Sequence, residues 1–307
     1  MSYADRDGVI WADGKLVPWR EANTHLLTHS LHYGVGAFEG IRAYKTDQGT
    51  AIFRLDDHVR RLFDTCRILG MKMTFDEPTV RDACVAAVRE NKLETAYLRP
   101  LAYYGSEGMG LHASTLSVHV VVAAWYWGAY LGGDALEKGI RIKTSSFTRH
   151  HVNSVLSKAK ATGNYINSIM ALQEVAKDGY DEALLLDHEG MVAEGSGENI
   201  FMVRRGTLYT PEPTCALEGI TRDTVMQLAR EFGIPVVEKR FARDEIYIAE
   251  ECFFTGTAAE VTPIRELDNR PIGPGLPGPV TKKLQNAYLD LVQGKRAAPE
   301  GWLTLVG

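Results

Sequence analysis

The chain has 307 residues, 45% of them hydrophobic and 24% charged, with a formal net charge of −5. That length suggests one large domain or about two ordinary ones, stable without a disulfide or metal staple. Both charge signs are interspersed and no basic block appears, which argues against nucleic acid as a partner.

The opening stretch MSYADRDGVIWADGKLVPWR is charged and mixed and holds no leader-like apolar run. Within it, VIWADGKLVPW predicts a hairpin that turns at Asp13-Gly14. LDDHVRRLFDTCRILG predicts a helix with Leu55, Val59, Leu62, Phe63 and Cys66 on one face and Gly70 as its stop. PTVRDACVAAVREN predicts a second helix, with Pro78 in the first turn, where its missing N–H is tolerated. AYLRPLAYYG and LSVHVVVAAWYW predict strands. The longest apolar run, VHVVVAAWYWGAYLGG, is too short and too aromatic for a spanning helix, so no membrane partner and a cytoplasmic location are expected. Four separated cysteines, Cys66, Cys84, Cys215 and Cys252, make no CxxC pair and no zinc spacing; they read as buried thiols in a reducing compartment, with no metal site. Strands and helices in blocks indicate an α+β fold.

Residues 128–139, GAYLGGDALEKG, hold four glycines and mark a connector, giving domains at 1–127 and 139–307 with the connector over 128–138. IRIKTSSF then predicts a strand. A helical pattern runs from Gly163 to Lys177, with Tyr165, Ile169, Leu172 and Ala176 on one stripe. EALLLDHEGMVAEGSGENIFMVRRGTLYTP predicts a meander turning at DHEG and RRG. TRDTVMQLAREFG predicts a helix with Thr221 as N-cap and Gly233 just past its end. A strand PVVEKRF, a short helix RDEIYIAEE, a strand CFFTGT and a last helix GPVTKKLQNAYLDLVQG complete the chain.

Three features carry chemistry. In SVLSKAKATGNYINSIM, Lys158 and Lys160 stand among small, apolar or neutral residues. One reading is a pair of solvated lysines; the other is a Schiff-base lysine, whose amine attacks a carbonyl only when neutral, a state that partial burial favours. In AEGSGENIF, Glu194 and Glu198 flank three small residues. Two carboxylates fit glycosidase-type acid/base work, but small residues beside them fit a flat ligand lying against the backbone, with a carboxylate keeping a pyridine nitrogen protonated. LEGITRD puts Gly219, Ile220 and Thr221 at a helix start, and FTGTAAE puts Gly256 and Thr257 at a strand end; both suit a phosphate, and both are common as plain turns.

Together these segments resemble the class IV, fold type IV pyridoxal-phosphate aminotransferases. The resemblance rests on EGSGENIF followed by LYTPEPTCALEGITRD, which matches at Glu194, Ser196, Asn199, Ile200, Phe201, Leu208, Thr210, Leu217, Gly219, Ile220 and Arg222. HSLHYGVGAFEGIRAY, YLRP, GMG and WGAYLG look like branched-chain amino acid aminotransferases in particular. The resemblance implies a two-domain fold, with a small N-terminal α/β domain and a larger C-terminal domain of mixed, barrel-like sheet with helices, and pyridoxal 5′-phosphate as cofactor.

Lys160, five residues before the tyrosine of GNY, is then the Schiff-base lysine and Lys158 a flanking residue. By similarity Glu194 meets the pyridine nitrogen, Tyr165 the phenolic oxygen, and Arg61 the phosphate, helped by backbone groups of Ile220, Thr221 and Thr257; Leu217, Gly219 and Gly256 are also expected to bind the cofactor. Arg60 is expected on the surface. Phe38, Gly40, Tyr33, Trp127 and Tyr130 would line the side-chain pocket; Tyr97 and Arg99 would meet the distal carboxylate of glutamate. The amides of Thr257 and Ala258 would meet the α-carboxylate. Leu111 would reach in from a neighbouring subunit, so a homodimer is the minimum unit, with a hexamer open. The implied reaction moves the amino group of leucine, isoleucine or valine to 2-oxoglutarate. D-amino acid or (R)-amine aminotransferases and aminodeoxychorismate lyases of the same fold are the alternatives. The segment HHVNSVLS lacks the prolines often found there, which leaves its loop path open.

Overall fold

The computed structural model describes residues 2–128 and 134–307. They form two compact units. The first holds the described residues up to Gly128 with 159–163 and 292–307; the second holds those from Asp134 to Lys158 and 164–291. Two stretches expected with the C-terminal domain therefore belong with the first unit. Ala161 bridges to Ala37, and the C-terminal strand Leu303–Leu305 pairs with residues 51–53. Such long-range pairings leave no periodicity for a sequence reading to find.

The first unit runs β1 (Val9–Ala12), β2 (Lys15–Pro18), α1 (His29–Tyr33), β3 (Gly36–Phe38), β4 (Ile41–Thr46), β5 (Gly49–Phe53), α2 (Leu55–Ile68), α3 (Glu77–Glu90), β6 (Ala96–Tyr104) and β7 (Val118–Trp125). Its sheet has the order C-terminal strand–β5–β4–β6–β7–β1–β2, with β3 on β6, and every pairing is antiparallel. The β1–β2 turn stands at Asp13 and Gly14, both at positive φ, as the twist of a two-residue hairpin demands. α2 buries Leu55, Val59, Leu62 and Cys66 and stops at Gly70, which adopts the left-handed conformation. α3 is capped by the Asp76 carboxylate, which accepts from the Thr79 N–H at 2.9 Å. These two helices pack with β4, β6 and β7 into one apolar core. Strands β3 to β5 carried no strand expectation. In β4 the residues Ile41, Arg42, Ala43 and Tyr44 are all buried, so the polar–apolar alternation that betrays a strand is missing.

The second unit runs α4 (Ala135–Lys138), β8 (Ile140–Thr144), α5 (Tyr165–Ala176), β9 (Glu182–Leu186), β10 (Val192–Gly195), β11 (Asn199–Arg204), β12 (Thr207–Thr210), α6 (Ile220–Glu231), β13 (Val236–Glu238), α7 (Arg243–Tyr247), β14 (Glu251–Gly256), β15 (Glu260–Leu267), β16 (Arg270–Pro271) and α8 (Pro279–Val292). Its mixed sheet has the order β10–β9–β8–β15–β14–β11–β12–β13, with β16 on β15. The expected meander resolves into two hairpins, β9–β10 and β11–β12, which stand apart because β8, β15 and β14 lie between β9 and β11 in the sheet order. The expected connector contains α4, and its residues 129–133, Tyr130 among them, lie outside the described residues.

Two expectations are corrected here. α5 buries Ser168, Ala171 and Val175, while Ile169 and Ala176 of the expected stripe are exposed; small residues let this helix lie close to β9, so its large apolar side chains point outward. The N-cap of α6 is Gly219, and Thr221 sits inside the first turn. All four cysteines are buried, and burial pushes the Cys66 thiol up to about 12. No helix among the described residues is long and apolar enough to cross a membrane, and none of their His, Cys, Asp and Glu side chains form a group placed to hold a metal ion.

Candidate active site

In the first unit the site begins with the end of β3. The Phe38 N–H donates to the Lys160 carbonyl at 3.1 Å, and the Lys160 N–H donates to Thr65 Oγ1 of α2 at 3.0 Å. These bonds set the lysine's main chain beside both elements, and its Nζ lies 4.8 Å from the centre of the Phe38 ring. Arg61, two turns into α2, grips Glu39 with two bonds, Nε to Oε1 at 2.7 Å and Nη2 to Oε2 at 2.9 Å. Arg60 points to solvent and pairs with Asp57, as expected of a surface residue.

The same unit gathers the aromatic wall. Tyr97 and Arg99 alternate along β6 and share a face: the Arg99 guanidinium lies 5.5 Å from the Tyr97 ring centre and 4.8 Å from that of Phe38. Trp127 stands 5.1 Å from the Tyr97 ring, and Trp125, which carried no expectation, 5.4 Å from it. Gly40 leaves room for this arrangement, since a Cβ there would come within 1.9 Å of the Tyr97 hydroxyl oxygen. Arg99 Nε is buried and has no hydrogen-bond partner among the described residues. A cation placed so on an apolar wall calls for an anionic ligand. Tyr33 is partly exposed; its hydroxyl accepts from the Gly110 N–H at 3.1 Å. The next residue, Leu111, is 89% exposed.

In the second unit Glu194 of β10 is buried, and its orientation is set from both sides. Oε1 accepts from Arg149 Nε at 2.7 Å; Oε2 accepts from the Leu217 N–H at 3.2 Å. Arg149 in turn donates to Asn167 and Ser168 of α5. Asn199 donates to the Leu217 carbonyl at 2.9 Å, and a Cβ on Gly219 would meet its Oδ1 at 2.0 Å. Leu217, Gly219 and the start of α6 are thereby tied to the carboxylate. No side chain caps α6, so the amides of its first turn, including Ile220 and Thr221, present N–H groups suited to an anion. Gly256 ends β14, and Thr257 and Ala258 lie in the half-buried turn that leads to β15. Tyr165 is the first residue of α5. Glu198, the second acid of AEGSGENIF, is also buried and accepts from the Gly197 N–H at 3.0 Å.

The amino-transferase class IV family model matches residues 36–267. The chain is 63% identical over 306 residues to the branched-chain-amino-acid aminotransferase of Pseudomonas aeruginosa, covering all of both chains. The chain belongs to the class IV aminotransferases. It is also similar to two solved structures of branched-chain amino acid aminotransferases. That of Escherichia coli superposes at a TM-score of 0.96 with 42% identity, over 98% of this chain and 100% of that one. That of Thermobaculum terrenum, in its PLP-bound holo-form, has a TM-score of 0.92 with 36% identity, over 98% of this chain and 99% of that one. The architecture of this class IV aminotransferase is fold type IV.

Several residues of these constellations escaped the sequence reading, among them Glu39, Trp125, Arg149 and Asn199. Asn199 stood in the matched signature without a role. Glu39 stands one residue past Phe38 in AFEGIR, and only its burial beside Arg61 marks it out. Nothing in the local sequence distinguishes Arg149 from a surface arginine.

Proposed function

We propose that this chain is a pyridoxal-phosphate-dependent branched-chain amino acid aminotransferase that moves the amino group of L-leucine, L-isoleucine or L-valine to 2-oxoglutarate. Membership of the class IV family and the full-length likeness to branched-chain aminotransferases support the reaction. The observation that carries the substrate pair is Arg99: a guanidinium on a wall of Phe38, Tyr97 and Trp127, with a buried Nε that the described residues leave without a partner. An aliphatic side chain finds apolar surface there, and the distal carboxylate of glutamate finds a cation.

The donor set fits the cofactor: an amine at Lys160, a buried and oriented carboxylate at Glu194, and an uncapped helix start at Gly219–Thr221. Bound pyridoxal phosphate supplies an electron sink for the bond that loses its proton at the substrate α-carbon. Lys160 would attach the aldehyde and carry that proton on Nζ. Glu194, held by Arg149 and the Leu217 amide, would keep a proton on the ring nitrogen. Tyr165 would meet the phenolic oxygen. Arg61 and the amides of Ile220, Thr221 and Thr257 would hold the phosphate, while those of Thr257 and Ala258 would meet the α-carboxylate. Phe38 and Trp127 would exclude water from the reacting amine. The exposed Leu111 supports a homodimer in which that side chain enters the neighbouring subunit's pocket, and a cytoplasmic setting agrees with the reading.

A panel of L and D donors with 2-oxoglutarate tests the proposal. Turnover of the three branched L-amino acids with formation of glutamate is expected; turnover of D-amino acids or (R)-amines alone would overturn it.

A further inference from the structure

Glu39 is fully buried, a placement that is costly unless its charge is answered. It is answered on both oxygens. Arg61 takes Oε1 and Oε2 through Nε and Nη2, and His58 Nδ1 faces Oε2 at 2.6 Å. The Glu39 N–H donates to the Pro100 carbonyl at 2.9 Å, which fixes the main chain of the acid as well. His58, Arg61 and Thr65 lie three and four residues apart on α2 and so share one face. That face holds the Glu39 carboxylate and, through Thr65 Oγ1, the Lys160 main chain. Buried ion pairs are often replaceable by apolar groups without loss of stability, so stability alone is a weak reason for this cluster.

We infer that Glu39, supported by His58, is a positioning residue that fixes the guanidinium plane of Arg61 for the phosphate of the cofactor. The inference rests on the proposed pyridoxal-phosphate site. Arginine loses side-chain freedom when it grips an anion. The two-point bond to Glu39 takes that loss during folding, so the fork meets the phosphate already oriented. Glu39 also keeps the Arg61 charge paired in the cofactor-free protein.

The test compares two ligands that share the pyridine aldehyde and differ in the phosphate. Cofactor-free wild-type protein, E39Q, R61A and the double variant are titrated with pyridoxal phosphate and with pyridoxal, following protein fluorescence. E39Q is expected to weaken pyridoxal phosphate about tenfold while changing pyridoxal less than about twofold, and to add less than about twofold in the R61A background. Equal weakening of both ligands by E39Q, no weakening of either, or a full tenfold loss on top of R61A would overturn the inference. If E39Q does not fold, E39D withdraws the carboxylate by one methylene and carries the same comparison; wild-type discrimination in E39D overturns the inference. A wild-type protein that binds pyridoxal as tightly as pyridoxal phosphate would refute the phosphate site itself.

Discussion

Lys160 Nζ lies 4.8 Å from the centre of the Phe38 ring, and the same two residues are joined through their main chains by the Phe38 N–H to Lys160 carbonyl bond of 3.1 Å. The amine thus keeps a defined place against an aromatic face. Lys158 stands differently: its Nζ donates to the Pro213 carbonyl and pairs with Glu218 at 2.8 Å, and its side chain is 40% exposed. Lys160→Ala is therefore expected to lower transamination by more than about a thousandfold, and Lys158→Ala to lower it less than about fivefold. Borohydride treatment followed by peptide mass analysis should place the cofactor on residue 160. Equal losses in the two variants would remove the assignment.

Arg99 offers a second measurement. In the proposed reading its guanidinium would serve the distal carboxylate of glutamate and would have nothing to serve in leucine. Arg99→Ala is expected to cut kcat/KM for glutamate about a hundredfold and for leucine less than about tenfold. Matched losses would show that Arg99 supports the wall in general and does not discriminate between the two substrates.

The pair Arg149–Glu194 is closely held, at 2.7 Å with both side chains largely buried. Arg149→Ala strands a buried carboxylate, an effect of about 3 kcal/mol on unfolding of the cofactor-free protein. Removing both charges, as Arg149→Met with Glu194→Gln, should restore much of that stability while leaving transamination low. Urea unfolding read beside activity separates the two effects; a double variant no more stable than Arg149→Ala would contradict the pairing argument.

His58 and Glu39 give the fold an acid-side dependence whose sign can be worked out. Burial lowers the proton affinity of His58 in the fold, against the pull of Glu39. Burial alone would raise Glu39, but the charges and hydrogen bonds of Arg61 and His58 outweigh it and hold the carboxyl well below the usual range. The unfolded chain takes up a proton at His58 below about pH 6.5 and another at Glu39 below about pH 4.3, both before the folded chain does. Stability should thus fall with pH, first from His58 and then from Glu39. In His58→Asn the urea midpoint should fall less between about pH 6.5 and about pH 5 than in wild type, while the steeper loss below about pH 4.5 persists. An unchanged slope in the first window would locate that dependence elsewhere.

Much of the secondary structure was legible because it depends on local signals. The α2 face of Leu55, Val59, Leu62 and Cys66, the Asp13-Gly14 turn and the Gly70 and Gly233 helix stops all follow from spacing and φ preference. The buried face of α5 differs from the apolar stripe because Ser168, Ala171 and Val175 pack by being small, a criterion that hydrophobicity does not measure. Side-chain chemistry points to Thr221 as the α6 cap, whereas the backbone turns at Gly219, where Asn199 leaves no room for a Cβ.

The sequence by itself determined the family, the lysine to examine and the residue types of the phosphate turns, because a signature of many matched positions constrains identity without needing coordinates. Only the tertiary structure decided that residues 159–163 join the first unit, that Glu39 and His58 stand behind Arg61, and that Arg149 holds Glu194. Glu39 lies 22 positions from Arg61, and Arg149 lies 45 from Glu194. Burial and hydrogen bonding act through space, and no spacing rule in one dimension encodes which distant carboxylate a buried guanidinium will find.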